Sequence, residues 1–432
     1  MIAKVIHNNL NAGGGAERLA LVTIDLLNEM GFEVDLETSE RVQYRALQKH
    51  FGYSNLHLRT IKQLDLRSFL LYKEKRIISS NASLEYNIHA HNKTCHHKQN
   101  DDDDDSQYDL IVNTHGDMLP YILKSHSENP LVKGKKKPIL ITYCHYPLLP
   151  YLVKNGRYKD YIRKYLPEKD SEDDSTLERL MSNAYLLYKM ALPRSNILLT
   201  NSEFSKRAIK QLFSNISEPI VVSPPVDIET FRTLLTIPKR SQDIILVISR
   251  FDPDKQVKNA IEVAKILNDR NIADKMIIVG NTSKSAPDYL YFLRKMIQNY
   301  FLQDYVRLEV GINFERLLHL MSKSKIYLHA MIGEPFGISV VEAMSAGLIP
   351  VVPDVGGSSE FVPKQYHYST LKQAVEIIRK ILTGTDWIGR KNDGYIKSER
   401  IKISDSVARF SVQSYKDNLR KIINSQFSNY YK

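Results

Sequence analysis

The 432-residue chain holds only two cysteines, Cys95 and Cys144, which excludes a disulfide framework as the source of its stability. Cys144 falls inside an apolar run and reads as a buried thiol, in keeping with a reducing compartment. No run of about 20 apolar residues occurs anywhere, so no transmembrane helix is expected. The opening MIAKVIHNNL lacks the plan of a signal peptide. The expectation is a cytoplasmic protein, with peripheral attachment to the cytoplasmic face of a membrane through an amphipathic surface left open. The glycine-rich stretch near the N-terminus is neither GxGxxG nor a phosphate loop ending in GKS or GKT, which excludes the two commonest nucleotide fingerprints there.

What is present is ordinary for a globular protein: hydrophobic residues make up 43% and charged residues 25%, and the length predicts two or three domains. The formal net charge of +11 suits nucleic acid, an anionic membrane surface or phosphorylated substrates. No stacking module or recognition motif for nucleic acid accompanies it.

The chain opens with an apolar run, Ile2 to His7, the turn NNLNAGGG, a helical pattern from Ala16 to about Met30, and a second strand in FEVDLET. That is the start of a βαβ unit. Residues 40–105 have no clear period. His91, Cys95, His96 and His97 match no zinc spacing, and Asp101 to Asp105 read as a solvated loop, so no metal site is expected. Strand-like runs resume in YDLIVNTHGD and KPILITYCHYP, each ending in a histidine, and in SNILLTNSEF and PIVVSPPVD. FRTLLTIPKRSQ reads as a linker. A second series of short Ile- and Val-rich runs follows, beginning at DIILVISRF and continuing through KMIIVGN, VRLEVG, KIYLHA and LIPVVPD. Such runs suit buried parallel strands. The expected organisation is one α/β domain over 1–225, a second over 226–410, and a terminal helix near 404–425. Its end, 411–432, could return to the first domain. Ligands of such sheets bind beyond the carboxyl ends of the strands.

Three stretches sit at those ends. Gly13, Gly14 and Gly15 follow the first strand and open a helix, either as a tight turn or as a backbone approach to an anion. Arg250 and Lys255 in SRFDPDKQ could converge on a diphosphate, the first as a rigid fork and the second as a mobile point charge; alone they would equally suit a solvated surface. In GEPFGISVVEAMSAGLIPVVPDVGG, Glu334 precedes a turn and Glu342 lies eight residues on. Phe336, Gly337 and Ile338 open the intervening helix. A carboxylate can accept two hydrogen bonds from a vicinal diol, and Glu342 on an otherwise small, apolar helix needs donors if it is buried.

EPFGISVVEAMSAGLIPVVPDVGGSSEFV, with SRFDPDKQ, NAGGGAER and YCHYP, resembles the retaining glycosyltransferases of family 4, and within them the dolichol-pathway α-1,2-mannosyltransferases and their archaeal or bacterial relatives. The resemblance implies a GT-B fold, two Rossmann-like domains facing across a cleft. It implies a nucleotide-sugar donor, GDP-mannose favoured and a UDP-sugar possible, on the C-terminal domain. Arg250 and Lys255 would neutralise the departing diphosphate, Glu334 would contact donor-sugar hydroxyls, and Glu342 would hold the ribose. Phe336, Gly337 and Ile338 would offer backbone near sugar and phosphate. The N-terminal domain would take the acceptor, with Gly13 to Gly15 approaching phosphate and acceptor and His145 lining the reaction centre. Eukaryotic relatives carry an N-terminal membrane anchor that this sequence does not show at its start. No divalent metal and no further cofactor is implied, because Arg250 and Lys255 can do the neutralising.

The predicted acceptor domain is basic and tyrosine-rich from Tyr146 to Pro167, with Lys154, Arg157, Lys159, Arg163 and Lys164, and again at Lys133 to Lys137. This suits either a solvated helix or an anionic membrane surface carrying a polyprenyl- or dolichyl-diphosphate-linked oligosaccharide. A non-catalytic nucleic-acid-binding or scaffolding protein is the alternative of another class. Such a protein has no need for Arg250, Lys255, Glu334 and Glu342 together.

Overall fold

A computed structural model of the chain describes residues 1–64, 105–123, 137–157, 159, 174–236, 243–282, 286–384 and 395–430. Each apolar run bounded by turn residues becomes a strand. The first sheet contains β1 (Ile2–His7), β2 (Glu33–Thr38), β3 (Thr60–Gln63), β4 (Leu110–Asn113), β5 (Ile139–Cys144), β6 (Ile197–Thr200) and β7 (Ile220–Val221), in the order β3-β2-β1-β4-β5-β6-β7. The second contains β8 (Ile244–Ile248), β9 (Lys275–Gly280), β10 (Val306–Val310), β11 (Ile326–Leu328), β12 (Ile349–Pro353) and β13 (His367–Tyr368), in the order β10-β9-β8-β11-β12-β13. Every ladder pairs its strands in parallel. Helices cover both sheets, so β4, β5, β8 and β12 are almost wholly buried. The strand order reverses between β1 and β4 in one sheet and between β8 and β11 in the other. Crevices for ligands open at such points.

Three readings change. The supposed linker is structured in its first half: Asp227 caps a helix over Ile228–Arg232, and Ile228, Phe231 and Leu234 are buried in the second domain's core. Their spacing puts all three on one face; residues 237–242 lie outside the described residues. The terminal helix is two helices, Tyr395–Ser406 and Val412–Tyr430, separated by a short turn at Ala408–Phe410. Ser411 restarts the chain by accepting from Ser414 N. Phe410 plugs the junction, its ring 5.3 Å from that of Phe336 and 5.1 Å from that of Phe361. The final helix packs on the first domain, burying Tyr415, Leu419 and Ile423 in that core.

The third change is Asp105, read as solvated. It is buried, taking Lys4 Nζ at 2.5 Å and Tyr121 OH at 2.8 Å. Lys4 sits inside β1, and a buried ammonium requires counter-charges, here Asp105 and Glu37. The other four aspartates, and His91, Cys95, His96 and His97, lie outside the described residues. Cys144 is a buried free thiol, as its apolar setting suggested.

Candidate functional site

The second domain's half of the cleft begins at the end of β11. The segment after it must pass close to the loop that leaves β12. Gly333 N–H donates to Val355 O at 3.0 Å and Gly357 N–H to Glu334 O at 2.7 Å, and Glu334 pairs with Gly356 in a parallel bridge. Gly356 has φ +130°, and a Cβ on Gly357 would stand 2.1 Å from Pro335 O. The glycine pair is therefore the condition for the two loops to touch. Gly337, at φ +97°, turns the chain into the helix Ile338–Ser345. Phe336 anchors the turn from beneath, buried against Phe361 and Phe410.

The charged groups arrive from separate elements. Lys255 ends a short turn after β8, and Gln256 follows it at φ +51°. The Gln256 amide grips the Ile332 backbone from both sides, donating to its carbonyl at 3.3 Å and accepting from its N–H at 3.4 Å. This brings Lys255 Nζ to 2.8 Å from Glu334 Oε2 and 3.4 Å from Met331 Sδ. Burial pushes the Glu334 carboxyl up, but Lys255, His329 and Arg250 together hold it below its ordinary value. It is an ionised acceptor. Arg250, just past β8, is exposed. Arg250, Lys255 and Glu334 thus gather at the β8/β11 switch point.

Glu342 differs. It is half-buried on the Ile338–Ser345 helix, and burial raises its carboxyl to about 7, with Arg18 of the first domain opposing the shift and Asp227 adding to it. The folded chain therefore keeps a proton that the unfolded chain, near 4.5, has already lost. Stability from this group is complete below about pH 4.5 and is lost as pH rises through about 7. E342Q is expected to be more stable than the wild type by up to about 2–3 kcal/mol at about pH 8, and by less than about 1 kcal/mol at about pH 5. Thermal denaturation at the two pH values checks this, and an equal shift at both would count against it.

The first domain's half is the glycine turn and a histidine cluster. Gly13 has φ +74°, Gly14 N–H donates to Glu17 Oε2 at 2.7 Å, and Gly15 starts the helix Gly15–Glu29. A Cβ on Gly15 would stand 2.0 Å from Ile338 Cδ1, so the glycine turn faces the Ile338–Ser345 helix across the cleft. Beside it, at the carboxyl ends of β1, β4 and β5, lie His7, His115 and His145. His7 and His115 stack with centroids 4.6 Å apart, and His145 meets His115 edge-on at 5.6 Å. His145 Nε2 is 3.1 Å from Thr114 O, and the backbone N–H of His145 donates to Asp117 Oδ1 at 3.1 Å. Burial lowers His7, and lowers His115 to about 4. Burial pushes Glu17 up, but His7 and His115 hold it below the ordinary carboxylate value. His7, Glu17, Gln256 and His329 were not singled out from sequence. The only signal was place: His7 ends an apolar run and His329 follows one, Glu17 lies in the first turn of the helix after the glycines, and Gln256 follows Lys255.

Direct bonds cross between the domains. Ser202 Oγ donates to Pro335 O at 2.6 Å, and Glu360 accepts from Glu203 N at 3.0 Å and Phe204 N at 2.5 Å. A cavity of about 630 Å³ at this junction is lined by Asn201, Arg207, Glu360, Arg409 and Phe410 among others, and excludes Arg250, Lys255, Glu334 and Glu342.

Of the basic stretch, Leu148–Lys154 is helical, and Lys154 Nζ donates to Gln211 O at 2.6 Å. Arg163, Lys164 and Lys133 to Lys136 lie outside the described residues. Among the described residues no helix is long and apolar enough to cross a membrane, and no group of three or more His, Cys, Asp or Glu side chains is placed to hold a metal ion.

Residues 232–386 match the family model described as Glycosyl transferases group 1. The GDP-Man:Man(3)GlcNAc(2)-PP-Dol alpha-1,2-mannosyltransferase of Dictyostelium discoideum is 24% identical over 300 residues, 65% of this chain and 58% of that protein. Its Mus musculus counterpart is 29% identical over 235 residues, 50% of this chain and 46% of that protein. The chain spans about half the length of the curated relatives it matches. Among solved structures, sucrose-phosphate synthase from Thermosynechococcus elongatus superposes with a TM-score of 0.64 at 14% identity, covering 99% of this chain and 100% of that one. Anabaena HepE in complex with UDP-glucose gives 0.62 at 16%, covering 98% and 100%. This likeness establishes the GT-B fold, two Rossmann-like domains facing across a cleft.

Proposed function

We propose, on the premise that residues 232–386 form a glycosyl transferases group 1 domain, that the protein is a retaining glycosyltransferase. It transfers mannose from GDP-mannose, in α-1,2 linkage, to a lipid-linked oligosaccharide. The observation that carries the reading is the Lys255–Glu334 pair with Arg250 at the β8/β11 switch point, facing the glycine turn and the histidine cluster. The printed activity of the curated relatives supports the choice of donor and acceptor.

Breaking the bond to the diphosphate builds positive charge at the anomeric carbon and negative charge on the departing phosphate. Arg250 and Lys255 stabilise the latter, the task at which fixed donors and charges are most effective. Glu334 holds hydroxyls of the donor sugar. Glu342 holds the ribose diol, whose two O–H donors favour its ionised form. The Gly337 turn and the glycines at 13–15 let backbone approach the phosphates. The acceptor hydroxyl attacks from the face the phosphate leaves, and the phosphate takes its proton. Glu334, held ionised by Lys255, is not needed as a base. No divalent metal is required. The basic surface around Lys154 serves docking on an anionic membrane, on its cytoplasmic face, where a polyprenyl- or dolichyl-diphosphate acceptor is embedded.

The test is thermal stability with GDP, UDP and their mannose, glucose and N-acetylglucosamine sugars, with and without EDTA. A ligand that binds only the folded state raises the melting temperature by mass action. The expected result is a GDP-specific shift that survives EDTA. A UDP-specific shift would move the assignment to a UDP-sugar-dependent transferase acting on another acceptor, a reading with some footing in the UDP-glucose complex of Anabaena HepE. No shift with any nucleotide would sink the enzyme reading.

A further inference from the structure

A buried histidine stands beside the Lys255–Glu334 pair. His329, the first residue after β11, is 6% exposed. Its backbone is fixed on both sides: its N–H donates to Val351 O at 2.9 Å, and its carbonyl accepts from Tyr368 OH at 2.7 Å. On the ring, Nδ1 is 3.3 Å from Tyr327 OH, itself 2.8 Å from Ser339 Oγ. Nε2 is buried and has no hydrogen-bond partner. It lies 3.7 Å from Glu334 Oε2, the same oxygen that takes Lys255 Nζ at 2.8 Å.

Burial lowers the ring to about 4, so His329 is neutral at physiological pH. In the tautomer in which Nδ1 accepts from the Tyr327 hydroxyl, which also stands 3.4 Å from Ile248 O, the single ring proton is on Nε2. Glu334 Oε2, at 3.7 Å, is just beyond hydrogen-bond distance of that nitrogen. A neutral donor can orient the carboxylate without adding a third cation beside Lys255 and Arg250.

We propose that His329 is a positioning residue for Glu334. Lys255 Nζ hydrogen-bonds Oε2 while His329 Nε2–H flanks the same oxygen at 3.7 Å and limits its movement, and Oε1 is thereby presented to one hydroxyl of the donor sugar. His329 then bears on which hydroxyl arrangement the site accepts, although it touches neither phosphate nor base. The inference rests on the proposed role of Glu334 as the sugar-contacting carboxylate and deepens it.

The test compares H329Q with H329N in the full-length protein. A glutamine amide reaches about as far as Nε2, whereas asparagine stops near Nδ1. KM and kcat for GDP-mannose are measured alongside the affinity for GDP alone. H329N is expected to raise KM for GDP-mannose by about three- to tenfold, as a loosened Glu334 carboxylate presents Oε1 less well, while GDP binds within about twofold of wild type. H329N should also narrow the preference for GDP-mannose over GDP-glucose. H329Q should recover most of the loss. Equal behaviour of the two variants, or parallel losses for GDP and GDP-mannose, would show a packing role only and overturn the inference. If the wild type binds GDP but not GDP-mannose, or binds neither, the reading of Glu334 fails first and takes this inference with it. That outcome is visible before any variant is made.

Discussion

K255A is expected to lower kcat/KM for the nucleotide sugar by about 10²–10³-fold, the usual cost of removing one group aimed at developing charge. Two effects combine. The departing diphosphate loses a cation that Arg250, exposed and five residues earlier in the same loop, does not replace. Glu334 loses its hydrogen-bond partner at 2.8 Å, and with Lys255 gone the burial that pushes its carboxyl up is opposed only by His329 and Arg250. A share of the site would then present a protonated acid to the sugar. K255R keeps the charge but replaces a compact ammonium with a planar fork, so an intermediate loss is expected. The Lys255 side chain is 23% exposed, and its removal should leave the fold intact, which circular dichroism would verify. Steady-state kinetics decide the matter: a change within about threefold would remove Lys255 from the catalytic machinery.

G357A is expected to damage both stability and nucleotide binding. The added Cβ would meet Pro335 O at 2.1 Å, Pro335 C at 2.7 Å and Phe336 Cα at 2.8 Å. All three are backbone atoms, so nothing can rotate away. The two loops must part, and the Gly357 N–H bond to Glu334 O is lost with them. Overpacking of this kind costs about 1–3 kcal/mol. The displaced segment is the one that carries Glu334, so nucleotide-sugar affinity should fall by about tenfold or more. G31A is the control. Gly31 also has a positive φ, +82°, but open space around it, and it lies between the end of the Gly15–Glu29 helix and the start of β2, away from the carboxyl ends of the strands. It should lose about 1 kcal/mol of stability and no affinity. Equal affinity losses in the two variants would show that the glycine pair does not act through the Glu334 loop.

The parts of the fold that could be read from sequence are those whose burial is uniform. Strands β8, β9 and β12 are continuous apolar runs because helices cover both faces. Of the edge strands, β7 and β10 were legible in PIVVSPPVD and VRLEVG, whereas β3 and β13 gave no such signal. Strand β3 is Thr60–Gln63, with one apolar residue, Ile61, that is itself exposed. An edge needs no apolar pattern and is protected by polar residues. The Tyr44–Phe51 helix was hidden for a related reason: only Leu47 is buried. The supposed linker failed because composition, not spacing, was weighed at Phe231 and Leu234. Within the candidate site, the residue types at the strand ends suggested the chemistry, but not the pairings. Lys255 and Glu334 are 79 positions apart, and only the adjacency of β8 and β11 brings them together. Arg18 and Asp227, whose charges act on Glu342, lie in other elements, one of them in the other domain. His329 looks like any lone histidine after a strand until its unpartnered nitrogen is located.

The chain crosses between the domains twice, and the two crossings run side by side: Val226 N–H donates to Phe410 O at 3.0 Å, and Val226 pairs in parallel with Ser411. Two adjacent pins restrain a swinging door from twisting while letting it turn. Rotation of one domain against the other should therefore follow one arc about this pair. Gly15 and Ile338, which meet across the cleft, would ride that arc as opposed jaws, and the Ser202–Pro335 bond would act as a tether on the segment carrying Glu334. Opening wide enough to exchange a nucleotide would then pull on the carboxylate that holds the sugar, so product release and disassembly of the sugar site would be one movement.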